Sequence, residues 1–388
     1  MKWEKVKLGE LYEVHNGLSK AGKFFGEGYP FLTFSTVFNN YFIPKQITDL
    51  VQSTEKEQES YSIRRGDVFV TRTSETSDEL GMSCVALKDY PMATYNGFTK
   101  RMRPITNRVL PEYIGYYMRL PSFRGEFRAF STMTTRASLR NEDLLGLEVK
   151  LPSIEIQKQI ADILSAYDDL IENNQRQIKL LEEAAQRLYK EWFVDLRFPG
   201  HENTKIVDGV PEGWRISSIY DVFDIKYGKN LPTSKITKAG QYPVYGASGV
   251  IGYYNEKNCD DYATLVTSRG NGSGDVFRTH HKQSYVTNNS FIARRNDKNS
   301  FIENEFTFQL FSNTDFKKLC TGSAQPQLTN TSIQKIKILL PNRQLIEKYQ
   351  RCTIEMSEKQ EALYQEQRAL TQARNRLLPK LMNGTVEV

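Results

Sequence analysis

The sequence predicts an α+β fold. Two similar globular domains are separated by two long antiparallel coiled-coil helices, giving a pseudo-two-fold internal repeat. Three observations predict it. The openings match: WEKVKLGELYEVHNG from Trp3 pairs with WRISSIYDVFDIKYG from Trp214, so that Leu8 meets Ile219, Leu11 Val222, Val14 Ile225 and Gly17 Gly228. The ends match too: LEVKLPSIEIQKQI from Leu147 pairs with IKILLPNRQLIEKY from Ile336, so Pro152 meets Pro341. After each end runs a long stretch with heptad spacing. A repeat this long is not a solenoid unit. It is two copies of one module, globular then helical, which suits a target in two separated halves.

The divisions follow: a first globular domain over 1–150, a central helix over 151–200, a second globular domain over 201–339 and a further helix over 340–388. Residues 201–213, polar and turn-rich, form the linker. In the first domain YPFLTF, GDVFVTR and SCVALKDYP have strand composition, and PEYIGYYMRLPSFRGEF is helical with a turn. In the second, QYPVYG, ATLVTSRG and QSYVTNNSFIARR are strands and FTFQLFSNTDFKKLC is helical. Mostly antiparallel pairing is expected.

The seam of the first helix is read as Ile156, Ile160, Ile163, Tyr167, Leu170, Asn174, Ile178, Leu181, Ala185, Leu188 and Trp192. That choice requires one extra step of four, a stutter, near Asn174. The second is read as Leu345, Tyr349, Cys352, Met356, Lys359, Leu363, Gln367, Leu370 and Leu377. Pro152 and Pro341 suit first turns, where a missing N–H costs nothing. Phe198-Pro199-Gly200 and Pro379 mark the far ends. Asn174, Lys359 and Gln367 would fix register and partner at some cost in stability. The two helices are expected to pack antiparallel on each other, because each otherwise exposes a long apolar stripe.

Composition excludes several classes. No apolar run reaches the ~18 residues of a membrane span, and MKWEKVKLGE lacks the apolar core of a signal peptide. Cys84, Cys259, Cys320 and Cys352 are scattered, which fits free thiols in a reducing cytoplasm. His280-His281 lacks nearby partners for a metal, so no metal site is expected. The formal charge is +6. From Tyr61 to Arg140 there are 13 Lys/Arg against 7 Asp/Glu, and from Ser153 to Lys190 there are 5 against 7. The positive excess thus lies on a globular region, which favours a polyanion partner.

No catalytic constellation is intact. Val266–Asp275 is glycine-rich after a strand but lacks the Lys-Ser/Thr of a phosphate loop. Glu142, Asp143, Glu148 and Lys150 outline a nuclease carboxylate set, but Glu148 and Lys150 become Lys337 and Leu339 in the second copy. The turns at Asn96 and Asn288 lack the Pro-Pro-aromatic grip of amino-methyltransferases. No Ser-His-Asp order or Cys-His pair stands out. The chain reads as a binder, with no catalytic residue and no cofactor of its own.

The stretch IADILSAYDDLIENNQRQIKLLEEAAQRLYKEWFVDLRFPG from Ile160 resembles the central helical region of type I restriction–modification specificity subunits. TGSAQPQLTNTSIQKIKILLP from Thr321 resembles the end of their target recognition domain, and YPVYGASGVIGYYN from Tyr242 its middle. Phe130–Pro152 keeps only the outline. The second helix departs at its start, with Ile346 where the first has Gln157. The resemblance implies that each globular domain reads one half of a bipartite, asymmetric double-stranded DNA sequence. It implies that the helix pair spaces the domains and docks modification subunits, two of them. Those subunits carry S-adenosylmethionine and methylate adenine. Restriction subunits, ATP-driven and Mg-dependent, would join them in the cytoplasm.

Sequence readout needs Arg, Asn, Gln, Ser and Thr at base edges and Lys/Arg on phosphates. The candidate loops are Thr71-Arg72-Thr73-Ser74, Thr134 to Ser138 with Arg136, Ser268-Arg269-Gly270-Asn271, and Ser323 to Gln327 with Gln325. The first and third are repeat equivalents, as are the second and fourth. Asn96 and Asn289 stand beside them. Two rival classes remain: a catalytic nuclease or methyltransferase with fused recognition domains, and a coiled-coil adaptor that binds protein only. Salt-dependent DNA affinity would dismiss the adaptor.

Overall fold

Short runs of β-branched and aromatic residues between turns form the strands of this chain, as period-two alternation dictates. The computed structural model describes residues 3–74, 79–129, 137–322 and 325–388. They build two compact units, Met1–Ile171 with Ala369–Val388, and Glu172–Arg368.

In the first unit, Glu4–Lys7 pairs antiparallel with Glu148–Leu151, Val6 opposite Val149. This ties the opening of the domain to the strand that feeds the first long helix. A four-stranded antiparallel sheet runs in the order Tyr12–Asn16, Thr99–Pro104, Val68–Thr71, Ser83–Val85. A three-stranded sheet sets Phe25–Leu32 between Leu50–Val51 and Thr94–Tyr95, the last pair parallel. The expected helical stretch is two helices, Pro111–Tyr117 and Pro121–Ala129. Tyr113, Tyr116, Phe123 and Phe127 fill the core.

The second unit repeats this plan. Arg215–Ser218 pairs with Lys337–Leu340. The four-stranded order is Phe223–Tyr227, Ser290–Arg295, Thr264–Thr267, Val276–Arg278. Tyr242–Tyr245 lies between Val250–Tyr254 and, parallel to it, Tyr285–Val286. The helix is Asn304–Ser312. Tyr189, Phe193, Phe306 and Tyr349 form an aromatic cluster with centroids 4.9–6.0 Å apart. Each such contact adds ~0.5–1.5 kcal/mol to simple burial.

The repeat glycines have a common cause. A Cβ on Gly17 would lie 2.1 Å from the Asn96 carbonyl oxygen, and one on Gly228 would lie 2.3 Å from that of Thr287. Only glycine lets the backbones approach so closely.

The first long helix is Ile154–Tyr189, extended by a wider π turn, Lys190–Val194. The second is Arg343–Met382. They run antiparallel within each unit. In the first unit Ile160 and Leu164 join a core with Leu378 and Leu381. In the second, the Tyr349 hydroxyl donates to the Ala185 carbonyl at 3.2 Å, and Asn174 Nδ2 to Glu366 at 3.0 Å.

The seam corrects several expected members. Leu170 is 47% exposed, and Cys352 and Lys359 are exposed as well. Ile163 is half-buried beside the core, with Leu164 fully buried next to it. The inward stripe is Gln157, Ile160, Leu164, Tyr167, Ile171, Asn174, Ile178, Leu181, Ala185, Leu188, Trp192. Its steps alternate three and four without interruption, so no stutter exists at Asn174. The second stripe is equally regular: Ile346, Tyr349, Thr353, Met356, Gln360, Leu363, Gln367, Leu370, Arg374, Leu377, Leu381. Neighbours of similar polarity, such as Ile163 and Leu164 or Leu170 and Ile171, compete for each place, and only one of each pair is in phase.

Two ends also differ from expectation. Pro152 and Pro341 stand one residue before the capping residues, Ser153 and Asn342, whose carbonyls accept the first helical bonds. Pro379 lies inside the last turn, and the helix continues to Met382.

Candidate nucleic-acid interface

In the first unit, Val68–Thr71 leaves its sheet and three segments meet. The Arg72 N–H donates to the Phe98 carbonyl at 3.0 Å, and the Leu139 N–H donates to the Arg72 carbonyl at 2.9 Å. Thr73–Ser74 then forms a short antiparallel ladder with Ala137–Ser138. The second unit makes the same bonds. The Ser268 N–H donates to the Asn289 carbonyl at 2.8 Å, and the Leu328 N–H to the Ser268 carbonyl at 2.9 Å. Arg269 bridges Gln327. The loops singled out in the sequence therefore converge on one edge in each unit.

The register of that match differs by one residue from the sequence pairing. Thr71 and Thr267 sit opposite Thr99 and Ser290 at the same strand ends. Arg72 thus corresponds to Ser268, and Thr73 to Arg269. Successive residues of a strand face opposite sides, so Arg72 and Arg269 are not equivalent. Ser268 is fully buried and donates to the Asn288 carbonyl at 3.2 Å. Arg72 is half-buried. Burial, and then the charge of Arg72, hold the Lys100 ammonium below its usual range. Lys100 donates to Asn141.

Not every candidate faces outward. Thr71 is wholly buried: its hydroxyl donates to the Glu79 carbonyl at 2.5 Å and accepts from the Met82 N–H at 2.9 Å. It holds the loop and cannot reach a base edge. Asn96 is half-buried, and its Oδ1 accepts the Phe98 N–H at 2.7 Å, closing the turn. Arg269, Asn271, Gln325 and Gln327 are exposed, and Asn289 is half-buried. Only backbone pairing is described for Ser74 and Ser138. Arg136, with 130–135, and Ser323-Ala324 lie outside the described residues.

Sequence reasoning missed Phe98, 60% exposed at the tip of the first unit's turn. Its signal was the Asn-Gly pair before it, a turn dipeptide that carries the next side chain outward. Phenylalanine can contact a thymine methyl group in the major groove.

Several cations behind the positive excess of the first globular region already have partners within the fold. Arg119 donates to the carbonyls of Ser83, Val37, Phe38 and Asn40 at 2.6–2.9 Å. Arg103 pairs with Asp67 at 2.6 Å and Arg65 with Glu112 at 2.6 Å. Arg101 donates to the Ser62 carbonyl at 2.8 Å.

The adjacent histidines point to different partners. His280 stacks on Tyr364 with centroids 4.1 Å apart, and His281 Nδ1 is 2.7 Å from the Tyr245 hydroxyl. Burial pushes both down to about 4. Among the described residues, no three His, Cys, Asp or Glu gather as a metal site.

A family model described as type I restriction modification DNA specificity domain matches residues 1–183 and 211–364. The MjaIX type I restriction enzyme specificity subunit of Methanocaldococcus jannaschii is 25% identical over 414 residues, spanning 100% of this chain and 94% of that protein. The HindI specificity subunit of Haemophilus influenzae is 23% identical over 476 residues, spanning 99% of each. The crystal structure of a type I restriction–modification S subunit from M. genitalium shares the fold, with a TM-score of 0.56 and 18% identity over 98% of this chain and 96% of that one.

Proposed function

The chain belongs to the type I restriction–modification DNA specificity family, and from that premise we propose how its two units divide the recognition of DNA. It is a specificity subunit, the non-catalytic recognition component of such a system. Each unit reads one half of a bipartite, asymmetric duplex sequence through the edge where its loops meet. The single observation that carries this is the duplicated bond pattern, Phe98–Arg72–Leu139 and Asn289–Ser268–Leu328. In the second unit Arg269, Asn271, Gln325 and Gln327 offer the donors and acceptors of base readout. In the first, Arg72, Thr73 and Phe98 occupy that place.

The long helices dock modification subunits and set the unspecified spacer. Leu170 in the first unit and Leu180 in the second, 47% and 58% exposed, offer apolar surface for docking. S-adenosylmethionine, ATP and Mg act on partner subunits. No described helix is long and apolar enough to cross a membrane, and the proposed site of action is with DNA in the cytoplasm.

The test is to co-express the chain with its modification subunits and map methylated adenines. Arg269→Ala should relax one half-site by ~1–3 kcal/mol of discrimination and leave the other intact. Equal loss on all sequences would assign Arg269 to a phosphate or to structure. Methyl transfer by the chain alone would overturn the whole reading.

A further inference from the structure

The outer face of the four-stranded sheet differs between the two units. In the second, Lys226, Lys229, Arg294 and Arg295 line a hollow of about 280 Å3 with Asp224 and Asn258. All four cations are exposed. Arg294 donates to the Cys259 sulfur at 2.8 Å, and among the described residues none of the four forms a salt bridge.

Strand register places the first unit's residues at the same positions. Lys226 corresponds to His15, Arg294 to Arg103 and Arg295 to Pro104. Lys229 corresponds to Leu18, because their N–H groups donate to the matching carbonyls of Val286 and Tyr95. Leu18 is buried. Arg103 is held by Asp67, whose place in the second unit is taken by Ala263. The same sheet therefore forms without a cationic hollow, and the four charges serve no folding need that the first unit does not meet otherwise. Four cations against the single carboxylate of Asp224 leave the hollow net positive, which attracts an anion.

The hollow adjoins the recognition edge. The Gly228 N–H, one residue before Lys229, donates to the Ser290 carbonyl at 3.0 Å, next to Asn289. We propose that Lys226, Lys229 and Arg294 form a phosphate-binding site for the DNA backbone flanking the half-site read by the second unit. Among the described residues, the first unit has no such site on its matching face. This rests on the DNA-reading assignment above. It gives the second unit the larger share of sequence-independent, salt-sensitive affinity.

The test uses the full chain with its modification subunit, on a mixed-sequence duplex and on one containing the mapped target. Affinity is measured against salt for wild type, Lys226→Gln/Arg294→Gln and His15→Gln, each checked for an unchanged melting temperature. The double variant should lose ~0.9 of the log–log slope per contact, ~1.8 in all, on both duplexes alike. Its affinity should then fall about tenfold less than that of wild type between 50 and 200 mM salt. His15→Gln should keep the wild-type slope, and half-site preferences should not change. A wild-type slope in the folded double variant overturns the proposal. So does stabilisation of wild type, but not the variant, by inorganic phosphate at matched ionic strength with the slope unchanged, which marks a site for a free anion. Wild type that shows no salt-dependent DNA affinity defeats the DNA reading itself, a distinguishable result.

Discussion

Arg103 and Arg294 occupy the same register position in the two units and are used differently. Arg103 bonds Asp67 through two nitrogens, at 2.8 and 2.6 Å. Arg294 stands exposed, donates to the Cys259 sulfur and lies opposite Asp224 without an ion pair to it. The contrast extends further. The first unit draws Arg65, Arg101, Arg103 and Arg119 onto its own carbonyls and carboxylates; the second does the same with Arg278, held by Glu305 and Glu182, but leaves Lys226, Lys229 and Arg294 exposed on its sheet face. The two units therefore differ in free charge in a way that their compositions do not report. A cation counts toward a polyanion surface only after its internal acceptors are known.

One device is common to both. Gln157 Oε1 accepts the Leu110 N–H at 2.9 Å, while its Nε2 donates to the Arg108 carbonyl at 3.0 Å. Gln350 Oε1 accepts the Glu303 N–H at 2.8 Å, and its Nε2 donates to the Phe301 carbonyl at 2.9 Å. Each glutamine clamps the N-cap of the helix packed beside it. By sequence alignment Gln157 matches Ile346, so the clamp has moved one helical turn while its bonds have stayed the same.

The sharpest way to break the comparison is Arg119→Ala. It strips one donor group from four backbone carbonyls of the first unit. The expected loss is on the order of 3 kcal/mol or more. Hydrogen exchange should show it as faster opening of the first unit alone. Equal opening of both would mean that the units do not fold as separate bodies.

Smaller and paired are Gln157→Leu and Gln350→Leu. Gln350→Leu takes a partner from one N–H and one carbonyl, and Gln157→Leu from one N–H and two carbonyls, because Gln157 Nε2 also donates to the Pro152 carbonyl at 3.0 Å; each unsatisfied buried group is worth ~1–3 kcal/mol. Gln157 is almost fully buried and Gln350 half-buried, so the first should cost more. Denaturant midpoints rank them, and the reverse order would contradict the clamp.

The pH response should fall on the second unit. His280 and His281 are held near 4 in the fold against an unfolded value near 6.5. Between those values the unfolded chain binds more protons, so stability falls as pH drops from about 6.5 to 4 and is unaffected above. We expect the second unit's melting temperature to fall by a few degrees over that window. His280→Gln/His281→Gln should flatten the response, and an unchanged slope in that variant would place the titration elsewhere.

The smallest effects belong to Leu170→Asp and Leu180→Asp. Both are exposed, so stability should stay within about 0.5 kcal/mol in either unit. Weakened capture of the modification subunit in a pull-down would then isolate docking from folding. Full capture by both variants would remove these leucines from the docking surface.

Much of the architecture was legible in the residues. The matched Trp3 and Trp214, the Gly17–Gly228 pair and the two heptad stretches carry the repeat, because each meets a local physical demand that recurs. What escaped depended on neighbours remote in sequence. Leu170 and Ile171 are equally apolar, and only the partner helix selects Ile171. Arg72 aligns with Arg269 by chemistry, but the ladder sets Arg72 against Ser268. Thr71 looks like a readout residue until Glu79 and Met82 close around its hydroxyl.

The first unit's core includes Leu378, Leu381 and Met382, more than 200 residues beyond Ile171. On a ribosome adding about 5–20 residues per second, Tyr113 and Ile160 must wait some tens of seconds for these partners. The second unit's residues are contiguous and emerge during that interval. The domain that is translated first would therefore be completed last, and its unfinished core would be the stage at which a chaperone or a protease meets the nascent chain.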